Sequence, residues 1–393
     1  MNPGRVAALR ALIAVEEGAH AEDILPTVAP TTGPDRGLAW HITLGTLRYQ
    51  GRIDQTLTPF LRRPLNKLDP GVRNALRLGV FEAQVSQTPA HAAVSQAVEA
   101  CRAIGLGRAT SMVNAVLRKA IQKPISSDPF DGLPAWLQQR WSAYGDWVKR
   151  LHEPVPVCLR SPSKPIDSAT PVTLDGQIVP DLWSLPTGSG SILNIDAYQQ
   201  GQAWVMDPSA AKVADIVQAA LGGQGTVLDA CAAPGGKTMR MASHGLNVTA
   251  VDLSESRLER LQTNLDRLSI SASVLQHDWL TGPLPKGDTY DAVLVDAPCT
   301  GLGTIRRHPE IIWRRLPADP QAMGIRQRQI LSNAATHVCP GGVLVYAVCS
   351  PEPEEGPQVV ADMTGWEVTE QWCSVPPSAD EDAFQSFVLR RTG

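Results

Sequence analysis

Through the first 123 residues apolar side chains recur at three- and four-residue spacing, a period that predicts helices and no strands. Val6, Leu9, Leu12 and Ile13 share one face of a helix over 5–17, where Ala and Leu outnumber the β-branched residues. Asp69-Pro70 supplies an N-cap and a first-turn proline to a helix running through Val72, Leu76, Val80 and Phe81, with Arg73 and Arg77 one turn apart on it. Further helices are predicted over 91–104, stopped by Gly105 and Gly107, and over 109–121 before Pro124. His91, at a helix start, reads as a capping or packing group. The stretch 1–124 is an all-α bundle. From 125 to 200 the period is lost, and Pro, Ser and Gly accumulate around a short helical patch at 135–141. Pro154, Pro156, Pro162 and Pro165 punctuate apolar pieces such as 155–160, which read as edge strands of a small connecting subdomain, with Cys158 a packed thiol.

From 201 to 393 the period alternates. Strands are predicted at 226–229, 248–252, 273–276, 292–296, 342–348 and 386–390, and helices at 211–220, 256–268 and 327–338. This is a doubly wound, Rossmann-like α/β sheet, whose ligand crevice belongs at the carboxyl ends of the strands. Asp229, Asp252, Asp278, Asp296 and Cys349 all fall there.

Composition narrows the class. A net charge of −4 hides +6 over residues 1–123 and −10 over the remainder, a basic module attached to an acidic one. That division fits a polyanion-binding part serving a separate catalytic part. Seven cysteines without a Cys-x-x-Cys pair fit neither a disulfide scaffold nor a structural zinc site, and no metal is expected. Met1-Asn2-Pro3-Gly4-Arg5 leads into no long apolar stretch, and no run approaches about 18 apolar residues, so the expectation is a cytoplasmic protein with no membrane partner.

The run 227–238, VLDACAAPGGKT, is a strand, a tight loop and a helix start, a place for a small polar ligand. A P-loop needs a glycine where Cys231 stands, and the Gly-x-Gly-x-x-Gly fingerprint is absent. What remains is an acid before a glycine loop, with a second acid, Asp252, ending the next strand in the place that grips ribose hydroxyls. Asp296-Ala297-Pro298-Cys299 follows the buried run 292–295, and Cys349 ends the strand 342–348. Should those strands be neighbours, two thiols and one carboxylate share a small volume. Such a set matches a reaction at carbon 5 of cytosine, which becomes nucleophilic only when a thiolate adds to carbon 6 while an acid engages ring nitrogen 3. A base must afterwards remove the carbon 5 proton so that the thiolate can leave.

These residues carry a resemblance. GTLR at 45–48, LDPGVR at 68–73, PAHAAV at 89–94 and VNAVLR at 113–118 resemble the signature segments of the NusB-like domain, a helical RNA-binding fold. CAAPGGKT at 231–238, Asp252, Asp278, DAPCTGLG at 296–303, RRHPE at 306–310 and YAVCS at 346–350 resemble the Sun-like RNA cytosine-5 methyltransferases, whose bacterial members modify 16S ribosomal RNA. The resemblance implies S-adenosylmethionine as cofactor. It makes Cys231, Ala232, Ala233, Pro234, Gly235, Gly236 and Lys237 the cofactor loop, Asp252 the ribose ligand and Asp278 a neighbour of the adenine. It places Asp296 in the cofactor and base pocket with Lys237 hydrogen-bonded into its region, makes Cys349 the nucleophile and gives Cys299 a part in product release. Tyr346 packs. Val348 stands where the family has threonine, and 350–356 lacks the family's asparagine. The implied partner is 16S ribosomal RNA, free or in an early small subunit, met by a monomer. Transfer RNA as substrate, or a non-catalytic assembly role, are the alternatives. Arg306, Arg307, Arg314 and Arg315 around Trp313 suit RNA phosphates and a stacked base, with a salt-bridged helix face as the alternative for Arg314 and Arg315.

Overall fold

The computed structural model describes residues 2–162, 164–186, 190, 192–375, 377 and 381–392. They form two compact units, Met1–Pro154 with Ile305–Arg314, and Val155–Thr304 with Arg315–Gly393.

The first unit opens with α1 (Pro3–Glu16), α2 (Ala21–Val28), α3 (Pro34–Leu57), α4 (Pro70–Gln84), α5 (Ala90–Ala103) and α6 (Thr110–Ala120). Asp69 caps α4 by accepting from the amides of Gly71 and Val72. Every residue of α4 from Gly71 to Glu82 is buried, so its charges must find partners inside. Arg73 bonds Glu16 and the carbonyls of Leu65 and Leu68, Arg77 bonds Asp54, and Glu82 takes Arg5. The two arginines of this helix are therefore ion-paired core, not surface charge. His91, expected as a cap or packing group, is the exposed second residue of α5, because Pro89 holds the N-cap position without a side-chain bond.

The composition break at Pro124 is not a break in the packing. Gln84 donates to the carbonyls of Ile121 and Lys123 and accepts from the Ile125 amide, while Arg52 reaches Ser126 and His152. These bonds carry the chain on to α7 (Ala135–Arg140) and α8 (Gly145–Arg150), where the Trp141 and Trp147 rings pack 4.8 Å apart. The stretch 125–200, read from sequence as linker and connecting subdomain, is thus divided between the two units at Pro154.

The second unit opens with β1 (Cys158–Arg160), β2 (Thr170–Leu174) and β3 (Gln177–Ser184), then α9 (Asp196–Gln199) and β4 (Trp204–Val205). Their antiparallel order is β2-β3-β1-β4, so β1 is interior rather than an edge. Cys158 on it is a packed thiol, 2% exposed. The larger sheet follows: α10 (Pro208–Ala220), β5 (Thr226–Asp229), α11 (Gly236–Ser243), β6 (Asn247–Asp252), α12 (Glu255–Leu268), β7 (Ser273–Gln276), β8 (Tyr290–Asp296), α13 (Ile311–Arg314), α14 (Asp319–Ala335), β9 (Val338–Val348), α15 (Pro357–Ala361), β10 (Trp366–Cys373) and β11 (Gln385–Arg391). Strand order is β10-β11-β9-β8-β5-β6-β7, with β5 to β9 parallel and the last two antiparallel. The order turns around β5, which pairs with β8 on one side and β6 on the other, and that is where a doubly wound sheet opens its crevice. α14 starts eight residues before the predicted helix, and Val338 opens a strand instead of closing that helix. β10 escaped prediction because its residues are mostly exposed and show no alternation.

Residues 305–314, which include α13, leave the sheet unit and pack with the helices. Trp313 Nε1 donates to the Leu47 carbonyl at 2.8 Å, Arg314 to the carbonyls of Val15 and Ala19 at the end of α1, and Arg48 to the Arg306 carbonyl at 2.8 Å. Glu310 accepts from the Ala21 amide at 3.2 Å. Three of the arginines around Trp313 are thus taken up by the protein itself: Arg306 is 4% exposed, Arg314 is engaged by α1, and Arg315 bonds the Thr300 carbonyl in the sheet unit.

Candidate active site

β5 ends in Asp229, and the chain turns through 230–235 into α11. Gly235 takes φ 104°, and a Cβ there would stand 2.9 Å from Leu261 Cγ, so both the turn and the packing require glycine. The loop is pinned from three sides. Ala230 N donates to the Leu294 carbonyl, Ala232 N to the Val251 carbonyl, and Trp279 Nε1 to the Ala230 carbonyl, all between 2.6 and 2.8 Å. Trp279 was not picked out from the sequence, and nothing in its spacing marks it.

Cys231, Ala232, Ala233, Pro234, Gly236 and Lys237 line a cavity of about 170 Å³ together with Asp229, Asp296, Val205, Met206, Asp207 and Ala210. The last four come from β4 and the start of α10. Asp207-Pro208 repeats the cap signature of Asp69-Pro70, a signal that could have drawn attention to them. A larger cavity of about 600 Å³ in the helical unit, lined by Tyr49, Arg52 and Gln84 among others, has neither thiol nor carboxylate in its wall.

Asp229 is 1% exposed; its Oδ2 accepts from the Thr238 hydroxyl at 2.6 Å, and its Oδ1 has no partner among the described residues. Burial pushes this carboxyl up to about 7, against the Thr238 bond. Lys237 Nζ sits 2.6 Å from Asp296 Oδ2 and 5.1 Å from the Phe384 ring centroid. Burial works against its charge, but Asp296 outweighs burial and the ammonium is held above its ordinary value.

Asp252 and Asp278 do not line that cavity. Asp252, 3% exposed, accepts from the amides of Ala233 at 3.1 Å and Ser254 at 3.0 Å and from Arg257 at 3.3 Å. Arg257 also bonds the Ala233 carbonyl, so it clips the loop to the end of β6, a role that sequence reasoning missed. Asp278, just past β7, accepts from the Leu280 amide at 2.9 Å and remains half-buried.

β8 and β9 are parallel neighbours, with Asp296 opposite Ala347. Hence the loops that leave them meet, and Cys299 Sγ lies 3.2 Å from Cys349 Sγ. The Cys349 thiol is held well above its ordinary value by its bond to Cys299 and by burial. Gly303 permits the approach: its amide donates to the Cys349 carbonyl at 3.0 Å, and a Cβ there would lie 2.1 Å from the Ala383 carbonyl oxygen. Tyr346 packs, its hydroxyl donating to the Glu355 carbonyl at 2.6 Å.

A model of the 16S rRNA methyltransferase RsmB/F family matches residues 219–383, and a model of the NusB family matches residues 2–122. Ribosomal RNA small subunit methyltransferase B of Xanthomonas campestris is 34% identical over 374 residues, 88% of this chain and 84% of that one. The protein of the same name from Pseudomonas putida is 32% identical over 394 residues, 92% and 88% of the two chains. Among solved structures, that of PH0851 covers 100% of this chain and 99% of its own at TM-score 0.82 and 21% identity, a likeness of fold. A methyltransferase homolog from Pyrococcus horikoshii covers 65% of this chain and 93% of its own at TM-score 0.54 and 22% identity. S-adenosylmethionine is the cofactor of this class, and the cavity suits it, since a buried carboxylate oxygen without a partner awaits a cationic donor. No helix among the described residues is long and apolar enough to cross a membrane. From its helical N-terminal module to the loops at the ends of β5, β8 and β9, the chain belongs to the RsmB/F family of 16S rRNA methyltransferases.

Proposed function

We propose that this chain methylates carbon 5 of a cytosine in 16S ribosomal RNA through a covalent bond between Cys349 and the base. The observation that carries this reading is the pair of thiols 3.2 Å apart, at the ends of adjacent parallel strands, with Asp296 and Lys237 on the same rim. When bound, S-adenosylmethionine supplies an electrophilic methyl group. The loop of Cys231 to Lys237 would hold it, with the unpartnered oxygen of Asp229 available to its ammonium, and Asp252 and Asp278 would serve its ribose and adenine ends.

Cys349, as thiolate, adds to carbon 6, and the displaced π electrons make carbon 5 nucleophilic. Asp296, oriented by Lys237, engages the polar edge of the ring so that the added electron density is accommodated. Once carbon 5 is methylated a base, Cys299 or a group it assists, takes its proton; the C–H pair re-forms the ring double bond as the carbon–sulfur bond breaks and its electrons return to Cys349. Cys299 assists that elimination. The bond to Cys299 and burial favour the protonated form of Cys349 in the free protein.

RNA is met by the helical unit. Arg62, Arg63, Lys67, Arg102, Arg108, Arg118, Lys119 and Lys123 are exposed, whereas Arg73 and Arg77 are consumed by internal pairs.

The test separates the cysteines by the order of bond making. Cys349→Ala should give neither methylation nor adduct, and Cys299→Ala should accumulate a protein–RNA adduct that survives denaturing gels when RNA and cofactor are supplied. The double variant should form none. Adduct from Cys349→Ala, and none from Cys299→Ala, would make the Pro-Cys thiol the nucleophile. Labelled-methyl transfer to 16S RNA, small subunits and transfer RNA, followed by mapping, identifies the substrate; no transfer to any of them leaves a non-catalytic role.

A further inference from the structure

One buried carboxylate touches both of the loops that carry the thiols. Glu355 is 0% exposed; its Oε1 accepts from the Thr300 amide at 2.7 Å and from Gln327 Nε2 at 3.2 Å, and its Oε2 from the Thr300 and Ser350 hydroxyls, each at 2.5 Å. Thr300 follows Cys299 in the chain, and Ser350 follows Cys349. The surrounding bonds tighten the same knot. Gln327 of α14 also donates to the Pro298 carbonyl at 3.0 Å, and Gln385 of β11 donates to the Ser350 carbonyl at 2.8 Å. α14 itself comes so close that a Cβ on Gly324 would stand 2.3 Å from the Glu354 carbonyl oxygen.

We propose that Glu355 is a positioning residue for the reaction: its carboxylate holds the Cys299 and Cys349 loops in one register, and that register lets Cys299 serve release of the base from Cys349. The inference rests on the roles given to the two thiols above.

What the site demands of Glu355 is two correctly placed polar atoms, not a charge. Oε1 faces obligate donors, a backbone N–H and a side-chain NH₂, whereas Oε2 faces two hydroxyls that can accept as well as donate. A glutamine with its oxygen in the Oε1 place and its NH₂ in the Oε2 place keeps every bond once the hydroxyls turn. Alanine instead leaves the Thr300 amide buried without an acceptor and removes the carboxylate tie, so that only the 3.3 Å contact of the Thr300 and Ser350 hydroxyls and the Gly303 amide bond to the Cys349 carbonyl still join the loops.

The full chain carrying Glu355→Gln or Glu355→Ala is compared with wild type for turnover on RNA, for denaturation-stable adduct formed under turnover, and for S-adenosylmethionine affinity as the check on folding. With affinity within about twofold throughout, Glu355→Ala is expected to lose at least tenfold in turnover and to raise the adduct at least fivefold, while Glu355→Gln stays within about threefold of wild type on both counts. A purely structural defect would lower turnover and adduct together. The proposal is overturned if Glu355→Ala shows no rise in adduct, or if Glu355→Gln is as impaired as alanine, which would assign the residue a proton-transfer or charge role. Should Glu355→Ala fail to bind cofactor, Ser350→Ala and Thr300→Val each cut one tie, and unchanged adduct in both overturns the clamp. Formation of 5-methylcytosine by the wild type in the same assay tests the underlying reading separately, so a failure among the variants then falls on the clamp alone.

Discussion

At the scale of single residues, Asp229 is the buried carboxyl in the cavity wall whose charge the proposed cofactor contact would depend on. Burial holds its carboxyl at about 7, against an ordinary 3.8, so over that interval the folded chain keeps a proton that the unfolded chain has released. Stability from this group is therefore present below 3.8 and is lost as pH rises through about 7. Ligand affinity runs the other way, because only the ionised carboxylate fully attracts a cationic donor. Cofactor affinity is expected to rise between roughly pH 6 and pH 8 in the wild type, and Asp229→Asn should flatten that rise and weaken binding by about 1.5–3 kcal/mol, the usual range for a hydrogen bond to a charged group. Calorimetric titration at several pH values checks it; an unchanged slope in the asparagine variant would remove Asp229 from the binding site.

At the scale of elements, the cofactor loop depends on groups supplied by β6 and α12 as much as on its own glycine. Asp252 carries the Ala233 amide and Arg257, and Arg257 in turn carries the Ala233 carbonyl. On the proposed assignment Asp252→Ala removes a ribose acceptor and also loosens the turn, so a loss of about 1–3 kcal/mol in cofactor affinity is expected by calorimetry. Asp252→Asn keeps an acceptor for the Ala233 amide and should lose less. Equal affinity in wild type and Asp252→Ala would place the ribose on another strand. The carboxylate was legible in the sequence because it ends an apolar run. Arg257, five residues on, was not, because a helix surface arginine looks the same whether it meets solvent or a loop carbonyl.

For the whole molecule, the decisive feature is the excursion of residues 305–314 into the helical unit. Trp313, Arg314 and Glu310 satisfy carbonyls and an amide of α1 to α3, and Trp313 packs against the helical core. Removing the first 123 residues, the cut that charge asymmetry invites, would strip this segment of its partners. A fragment spanning 155–393 is expected to keep cofactor binding but to be cleaved rapidly within 305–314 by limited proteolysis, while the full chain resists there. Mass mapping of the cuts decides it, and equal resistance in both would mean that the segment finds other cover.

Periodicity and turn chemistry are local properties, and they determined the helical character of the first module, the alternating strands after 201, the Asp69 cap and the glycine loop before α11. Strand-end position is nearly as local, which is why Asp229, Asp252, Asp296 and Cys349 could be named in advance. Register and neighbourhood are not local. Only the pairing of β8 with β9 brings Cys299 and Cys349 to 3.2 Å, and only burial on all sides makes Arg73 and Arg77 ion-paired core. The arginines around Trp313 looked like an RNA contact because a chain reports which side chains it carries, not which backbone carbonyls will stand opposite them. Glu355 was invisible for the same reason: its four donors come from three separate stretches, at 300, 327 and 350, which the fold alone gathers round one carboxylate.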